Sequence, residues 1–238
     1  MKKLFLGTAL VLCLALPAQA VTVNVADVGA SGTTVLQGYV DVNGNAVSIP
    51  GLTGTLFLEY DGVTNGGLTW NFDYTVTNTT SGNVTASRIS SFGLSTTPNI
   101  TGATSTGLFD LSLVNPSFPN VQGPVVSGSA LEVCFSSGSN SCSGGDGLLK
   151  GQSASGEFTL TFATALSAIS LDHAFLRFQS IDGSAYAFNG ASGVGFDTGG
   201  VVITPQAVPG PMLGAGLPGL LAACGGLIAL ARRRRRAA

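Results

Sequence analysis

Charged side chains are scarce, making up 9% of the 238 residues, and over the central part of the chain the shortage falls on one sign. Between Val21 and Ala207 the only cations are Arg88, Lys150 and Arg177, against all twelve acids, a net charge of −9 that the formal −2 of the whole chain conceals. Such a surface repels nucleic-acid phosphates and anionic lipids, which argues against both as partners, and it attracts divalent cations weakly. Histidine occurs once, as His173, and the chain has no Gly-x-Ser-x-Gly elbow. That leaves little room for a Ser-His-Asp triad, and no enzyme is expected. Cys-x-x-Cys is also missing, and one cysteine pair supplies too few ligands for a zinc site. The region shows no convincing 3.6-residue apolar repeat and no internal repeat of clear period, which argues against a helical or solenoid body.

What remains is rich in Ser, Thr and Gly with short apolar clusters, the composition of a β-rich extracellular module. The clearest segment is Trp70-Asn71-Phe72-Asp73-Tyr74-Thr75-Val76-Thr77, in which large apolar residues alternate with polar ones, the period of a strand with one buried face. Phe158, Leu160 and Phe162 alternate with Thr159 and Thr161 in the same way, and Leu131, Val133 and Phe135 with Glu132 and Cys134. Further strands are expected over Val21–Val28, Val35–Val42, Thr53–Tyr60, Ser87–Phe92, Ala174–Ile181 and Val201–Thr204. Turn signals separate them at Asn43-Gly44, Asp61-Gly62, Asn65-Gly66, Ser81-Gly82 and Asp182-Gly183. The spacing predicts an all-β domain over residues 21–207, an antiparallel β-sandwich of roughly eight to eleven strands.

Both ends read as addresses. Lys2 and Lys3 precede an apolar run from Leu4 to Leu16, and Ala18-Gln19-Ala20 is a small-residue cleavage site, so residues 1–20 are expected to be a signal peptide removed before Val21. At the other end Val208-Pro209-Gly210-Pro211 leads into an uncharged stretch from Met212 to Ala231. About 20 residues at about 1.5 Å rise cover the roughly 30 Å hydrocarbon core, so residues 212–231 are expected to form one transmembrane helix. Arg232, Arg233, Arg234, Arg235 and Arg236 then hold that helix on the cytoplasmic side. Gly214, Gly216, Pro218, Gly219, Gly225 and Gly226 suit a helix packed against a partner protein better than a permanent anchor.

The tail of residues 208–238 resembles the sorting signal of PEP-CTERM proteins, found in Gram-negative bacteria that make exopolysaccharide. In that family Pro-Glu-Pro precedes a single span and an arginine cluster, and a membrane-embedded sortase-like protease, exosortase, is thought to recognise and cut there. Here the tripeptide is Pro209-Gly210-Pro211, with glycine in place of the usual glutamate. Gly225-Gly226 ahead of the arginines is similar to the tail handled by rhombosortases, a second route of processing. The body resembles the cistern subgroup of the same family. FDYTVTNTT from Phe72, RISSFGLSTTPN from Arg88, Cys134 and Cys142 before Gly144-Gly145, LRFQSI from Leu176 and SGVG from Ser192 occur in that order. The resemblance implies signal peptidase, an exosortase-type protease and, transiently, the inner membrane as partners. It also implies a mature form at the outer surface or in an exopolysaccharide-rich biofilm matrix, and it carries no chemistry.

A few constellations remain. Cys134 and Cys142 flank FSSGSNS in a chain bound for an oxidising compartment, where a disulfide stabilises by about 2–3 kcal/mol by restricting the unfolded chain. On a strand from Leu171 to Ile181, His173, Phe175, Arg177 and Gln179 share one face, and His173, Arg177 and Gln179 are the residues that could grip a sugar hydroxyl or a carboxylate. The plainer alternative is the wet face of a strand. Asp172, next to His173, points the other way. Asp41-Val42-Asn43-Gly44-Asn45 begins like a calcium loop, but Ala46 and Leu52 stand where an EF-hand needs glycine and glutamate, and Asn43-Gly44 reads better as a hairpin turn. Asp146 and Asp197 read as turn acids. No cofactor or metal is expected, calcium being the one ion left open. Gly190-Ala191-Ser192-Gly193-Val194-Gly195 reads as a tight loop. Asn78, Asn83 and Asn99 head Asn-x-Thr triplets, which read as chance in a Thr-rich chain. Glu59, Asp61, Asp73, Glu132 and Glu157 permit a glycosidase-type carboxylate pair without suggesting one.

Overall fold

A computed structural model describes residues 20–42, 45–116, 131–138, 141–143, 145–183, 188–197 and 200–205. The expected signal segment up to Gln19, the Val208–Pro211 motif, the span and Arg232–Arg236 lie outside the described residues, while Ala20 is exposed just ahead of the first strand.

The described residues form twelve strands: β1 (Val21–Asn24), β2 (Ser31–Val42), β3 (Asn45–Thr64), β4 (Thr69–Thr77), β5 (Val84–Thr97), β6 (Gly102–Ser105), β7 (Leu111–Val114), β8 (Val133–Ser136), β9 (Leu148–Leu149), β10 (Ser153–Thr161), β11 (Ala168–Gly183) and β12 (Phe188–Asp197). One sheet contains them all, in the order β6-β10-β4-β3-β2-β12-β11-β5-β8-β7, with β1 added to β11 and β9 to β5. Every pairing is antiparallel. A twisted sheet of this size curls, and here its two end strands meet, with the Ser112 hydroxyl on β7 donating to the Ala103 carbonyl on β6 at 2.7 Å. The result is an antiparallel all-β shell, near-barrel and sandwich-like.

The alternation that marked β4 works as expected. Trp70, Phe72, Tyr74 and Val76 are buried and their polar neighbours face outward. Phe158 and Leu160 on β10, Tyr60 on β3, Phe92 on β5 and Phe135 on β8 complete an aromatic interior. Ring centroids lie 5.0 Å apart for Phe72–Phe158, 4.8 Å for Tyr74–Phe92 and 4.9 Å for Phe92–Phe135. Each ring buried this way is worth about 1.5–3 kcal/mol of transfer free energy.

Several local expectations are corrected. Asp61-Gly62 is not a turn but a bulge inside β3, where the register shifts between Tyr60 and Gly62. Asp182-Gly183 ends β11 as strand, and the Asp182 carboxylate accepts from the Gly190 N–H at 2.7 Å. Val201–Thr204 contributes only a bridge between Thr204 and Ser31. The largest correction is the glycine run from Gly190, which lies within β12, between β2 and β11. A Cβ on Gly195 would stand 2.8 Å from Phe178 Cε2, and one on Gly193 would stand 2.5 Å from the Tyr39 carbonyl. Glycine there makes room for the large side chains of β11. Asn65-Gly66 opens a single 3-10 turn (Asn65–Gly67) between β3 and β4, and Ser81-Gly82 leads into β5 as a turn; β2 and β3 pair Val42 with Asn45, and the Asn43-Gly44 turn expected between them lies outside the described residues.

Candidate functional site

The row on β11 is the first place to look. Ala174, Leu176 and Phe178 enter the main core, whereas Phe175 joins a second buried cluster with Leu131, Cys134, Cys142, Val194 and Phe196. The strand is therefore covered on both sides here. Arg177, opposite Val194 on β12, is only 7% exposed; its Nη1 donates to the Gly193 carbonyl at 3.3 Å, and its Nε has no partner among the described residues. Burial lowers the pKa of its guanidinium. Gln179 donates to the Ser143 carbonyl. His173 Nδ1 lies 3.4 Å from Asp197 Oδ1, and the same carboxylate, 2% exposed, accepts from the Ala174 N–H. Asp172 instead takes the Thr97 hydroxyl at 2.7 Å. Asp197 thus closes β12 rather than a turn, and opposite His173 on β5 stands Ser95, buried in the sheet. All three predicted ligand-face residues make contacts within the protein.

Cys134 and Cys142 come within disulfide distance, with Cα atoms 6.0 Å apart. The chain around Cys142 is fixed by side chains on neighbouring strands. Ser136 donates to the Ser141 carbonyl at 2.8 Å, Ser91 to Cys142 at 2.6 Å, Ser90 to Ser143 at 2.8 Å and Arg88 Nη1 to Gly145 at 3.0 Å. The Arg-Ile-Ser-Ser motif and Gln179 therefore serve this loop. Glu132, just before β8, is also internal. Its carboxylate accepts from the Thr96 N–H at 2.8 Å, and burial pushes its pKa above the ordinary 4.5.

The outer face of β3, β4 and β10 is different. Asp73 stands directly opposite Glu59 on β3 and Glu157 on β10, so three carboxylates form one row at the roughly 4.8 Å spacing of adjacent strands. In the next row Thr75 lies between Phe57 and Ser155, with the Thr75 and Ser155 hydroxyls 2.7 Å apart. Thr77 and Ser153 repeat the hydroxyl pair at 2.8 Å one row further on. Glu59, Asp73, Glu157, Phe57, Thr75 and Ser155 line an open groove of about 380 Å³ together with Tyr74 and Gly156. Tyr74 donates its hydroxyl to the Thr106 carbonyl at 2.7 Å, and a Cβ on Gly156 would fall 2.8 Å from that hydroxyl. Glycine at 156 leaves room for the Tyr74 ring, which is buried on the inner face among Phe92, Phe109 and Phe158.

Like charges directly opposite one another on a sheet repel. The strain registers at the neighbouring Asp61, whose carboxyl is held above its ordinary 3.8 by partial burial and then by the charges of Asp73, Glu59 and Glu157. None of the body's three cations relieves it. Arg88 and Arg177 bond to carbonyls as above, and Lys150 Nζ donates to the Val84 carbonyl at 2.6 Å. The carboxylates of Glu59, Asp73 and Glu157 accept no hydrogen bond from the described residues. Nor do three His, Cys, Asp or Glu side chains among the described residues converge to hold a metal ion.

Sequence reasoning named these acids singly and missed their alignment, because register between strands of distant sequence is not written in either strand alone. The Asn-x-Thr triplets also separate. Asn78 is buried, its amide donating to the Leu148 carbonyl at 3.1 Å and to Ser87, while Asn83 and Asn99 are exposed. No protein-family model, no curated protein and no solved structure matches this chain.

Proposed function

We propose that this chain is a non-enzymatic exported protein of the cell surface or extracellular matrix, sorted and cut at its C-terminal tail by an exosortase-type system and associated with exopolysaccharide. Residues 1–20 are its signal peptide, residues 21–207 an exported antiparallel sandwich, and residues 208–238 the sorting tail with its span at 212–231. The observation that carries the reading is the order Val208-Pro209-Gly210-Pro211, uncharged span, five arginines. The acidic body and the internal engagement of its only histidine agree with it. The test is the intact mass of native protein, tagged within the body and recovered from membrane and extracellular fractions. Loss of everything after about Pro209 to Pro211, with recovery outside the cell, is the expected outcome. An uncut chain in the inner membrane overturns it.

A second reading, a carbohydrate- or calcium-binding module tethered at the envelope, is favoured by the groove on β3, β4 and β10. Carboxylate and hydroxyl acceptors beside an aromatic ring suit a polyhydroxylated ligand. Thermal shift against calcium and a glycan panel checks it, and a flat response to both removes it. Release of shorter sugars from any glycan in the panel contradicts the non-enzymatic assignment.

A further inference from the structure

We infer that removal of the leader before Val21 creates an ion pair inside the shell, in which the freed α-ammonium of Val21 docks on the buried carboxylate of Asp197. The inference rests on the signal-peptide reading proposed above and goes beyond it, by giving the cut chain a binding site for its own new end. Its first support is register. β5 occupies one edge of β11, and β1 and β12 share the other, both antiparallel to it. Phe196 stands opposite Phe175 and Val21 opposite Leu171. Asp197, the last residue of β12, and Val21, the first of β1, therefore face each other end to end across Asp172 and His173. Three residues of strand separate their places on β11, about 10 Å, and two features reach into that interval. The Asp197 carboxylate enters it from one end, beside His173, and the Val21 nitrogen leads into it from the other.

The second support is a carboxylate with unmet needs. Asp197 is 2% exposed. Its Oδ1 accepts from the Ala174 N–H and lies 3.4 Å from His173 Nδ1, but its buried Oδ2 has no partner among the described residues. A carboxylate taken out of water is tolerated where it is both paired with a cation and fully hydrogen-bonded. One oxygen of this one meets that condition and the other does not.

The third support is the shortage of other cations. Arg88, Lys150 and Arg177 are the only basic side chains from Val21 to Ala207, and each donates to a backbone carbonyl elsewhere. Asp172, the other acid beside the interval, already accepts from the Thr97 hydroxyl and is not buried. In the precursor the Val21 nitrogen is an uncharged amide. Cutting after Ala20, which is exposed, turns it into an ammonium with three donors at the mouth of the interval. β1, whose Val23 is buried in the core, is then held by its ladder to β11 and by the ion pair together, so maturation locks the N-terminal strand in place.

The test uses native protein exported by the cell and recovered in detergent, its N-terminus read by intact mass. Trace labelling with an amine-reactive ester then compares the α-amino group of Val21 with Lys150, the only lysine after the leader and an exposed one. The expected result is a Val21 amine that labels about tenfold or more slowly than in Asp197→Asn, as loss of a buried ion pair requires. Asp172→Asn leaves that protection unchanged. A chain beginning one residue earlier, at Ala20, carries its ammonium about 3.3 Å further out and labels freely. In that longer chain Asp197→Asn lowers the unfolding midpoint less than it does in the chain that begins at Val21. Where Asp197→Asn does not fold, the labelling of the Val21 and Ala20 chains decides.

A Val21 amine as reactive in the native protein as in Asp197→Asn or in the Ala20 chain overturns the inference. So does protection that depends on Asp172 instead, and so does an equal loss of stability from Asp197→Asn in the two chains. Failure of the site is distinguishable from failure of the leader reading. A native chain that begins at Val21 with an unprotected amine removes this inference and leaves the signal peptide standing. A native chain whose mass shows the leader retained, or cut elsewhere, removes both.

Discussion

The two halves of the sheet are built to opposite plans. On β10, β4 and β3 one face is core and the other is open, so Trp70, Phe72 and Tyr74 alternate with Asn71, Asp73 and Thr75. On β11 and β12 both faces are covered, the inner one by the aromatic core and the outer one by the cluster around Phe175, Val194, Phe196 and the Cys134–Cys142 loop. The difference teaches where a ligand can be met. Polar groups on the covered half, Arg177, Gln179 and Asp197, are used inside the protein, whereas the carboxylates of Glu59, Asp73 and Glu157 on the open half accept no hydrogen bond from the described residues.

Breaking the inner face that supports the open half should have the largest effect. Trp70→Ala removes a fully buried ring stacked 5.1 Å from Tyr60, and we expect a loss of about 3–5 kcal/mol in denaturant unfolding. On the covered half, replacing Cys134 and Cys142 together by alanine should cost about 2–3 kcal/mol and loosen the loop that Arg88, Ser90 and Ser91 hold. Hydrogen exchange should rise there first and leave β4 unchanged. Gly195→Ala places a Cβ 2.8 Å from Phe178 and should cost about 1–3 kcal/mol by overpacking.

Acids sharpen the comparison because they respond in a predictable direction. The carboxyls of Asp61 and Glu132 both titrate above their ordinary values in the folded protein, so the folded state holds protons that the unfolded state has released. Stability should therefore fall as pH rises from the ordinary carboxylate range through the raised values. Glu132→Gln should flatten that slope without losing the acceptor for the Thr96 N–H, as chemical unfolding at a series of pH values can check. The smallest effect is expected from Asp73→Asn, which relieves repulsion with Glu59 and Glu157 and should stabilise by about 0.2–1 kcal/mol at neutral pH and low salt.

The same contrast explains what could be read in advance. The one-sided half announces itself, since a strand with one wet face must alternate: β4 was found within a residue of its limits, and the Phe158–Phe162 alternation marked the second half of β10, which starts earlier, at Ser153. The two-sided half does not alternate. Ala174 to Phe178 is an unbroken buried run, and three of the ten residues of β12 are glycine, two of which, Gly193 and Gly195, stand where neighbouring atoms fill the space a Cβ would take. A glycine run of that kind is indistinguishable from a loop until β11 is known to lie beside it. The acidic row was hidden for a related reason. Residues 59, 73 and 157 meet only through the register of three strands, and a one-residue slip would point Asp73 into the core.

The most direct measurement is carboxyl footprinting of the full-length protein by carbodiimide coupling, read by mass spectrometry. The account predicts that Glu59, Asp73 and Glu157 are labelled in the folded protein, while buried Asp197 and Glu132 stay unlabelled until it unfolds. Labelling of Asp197 and Glu132 as fast as the three-acid row would contradict it, and would mean that the half around β11 and β12 is not covered on both faces.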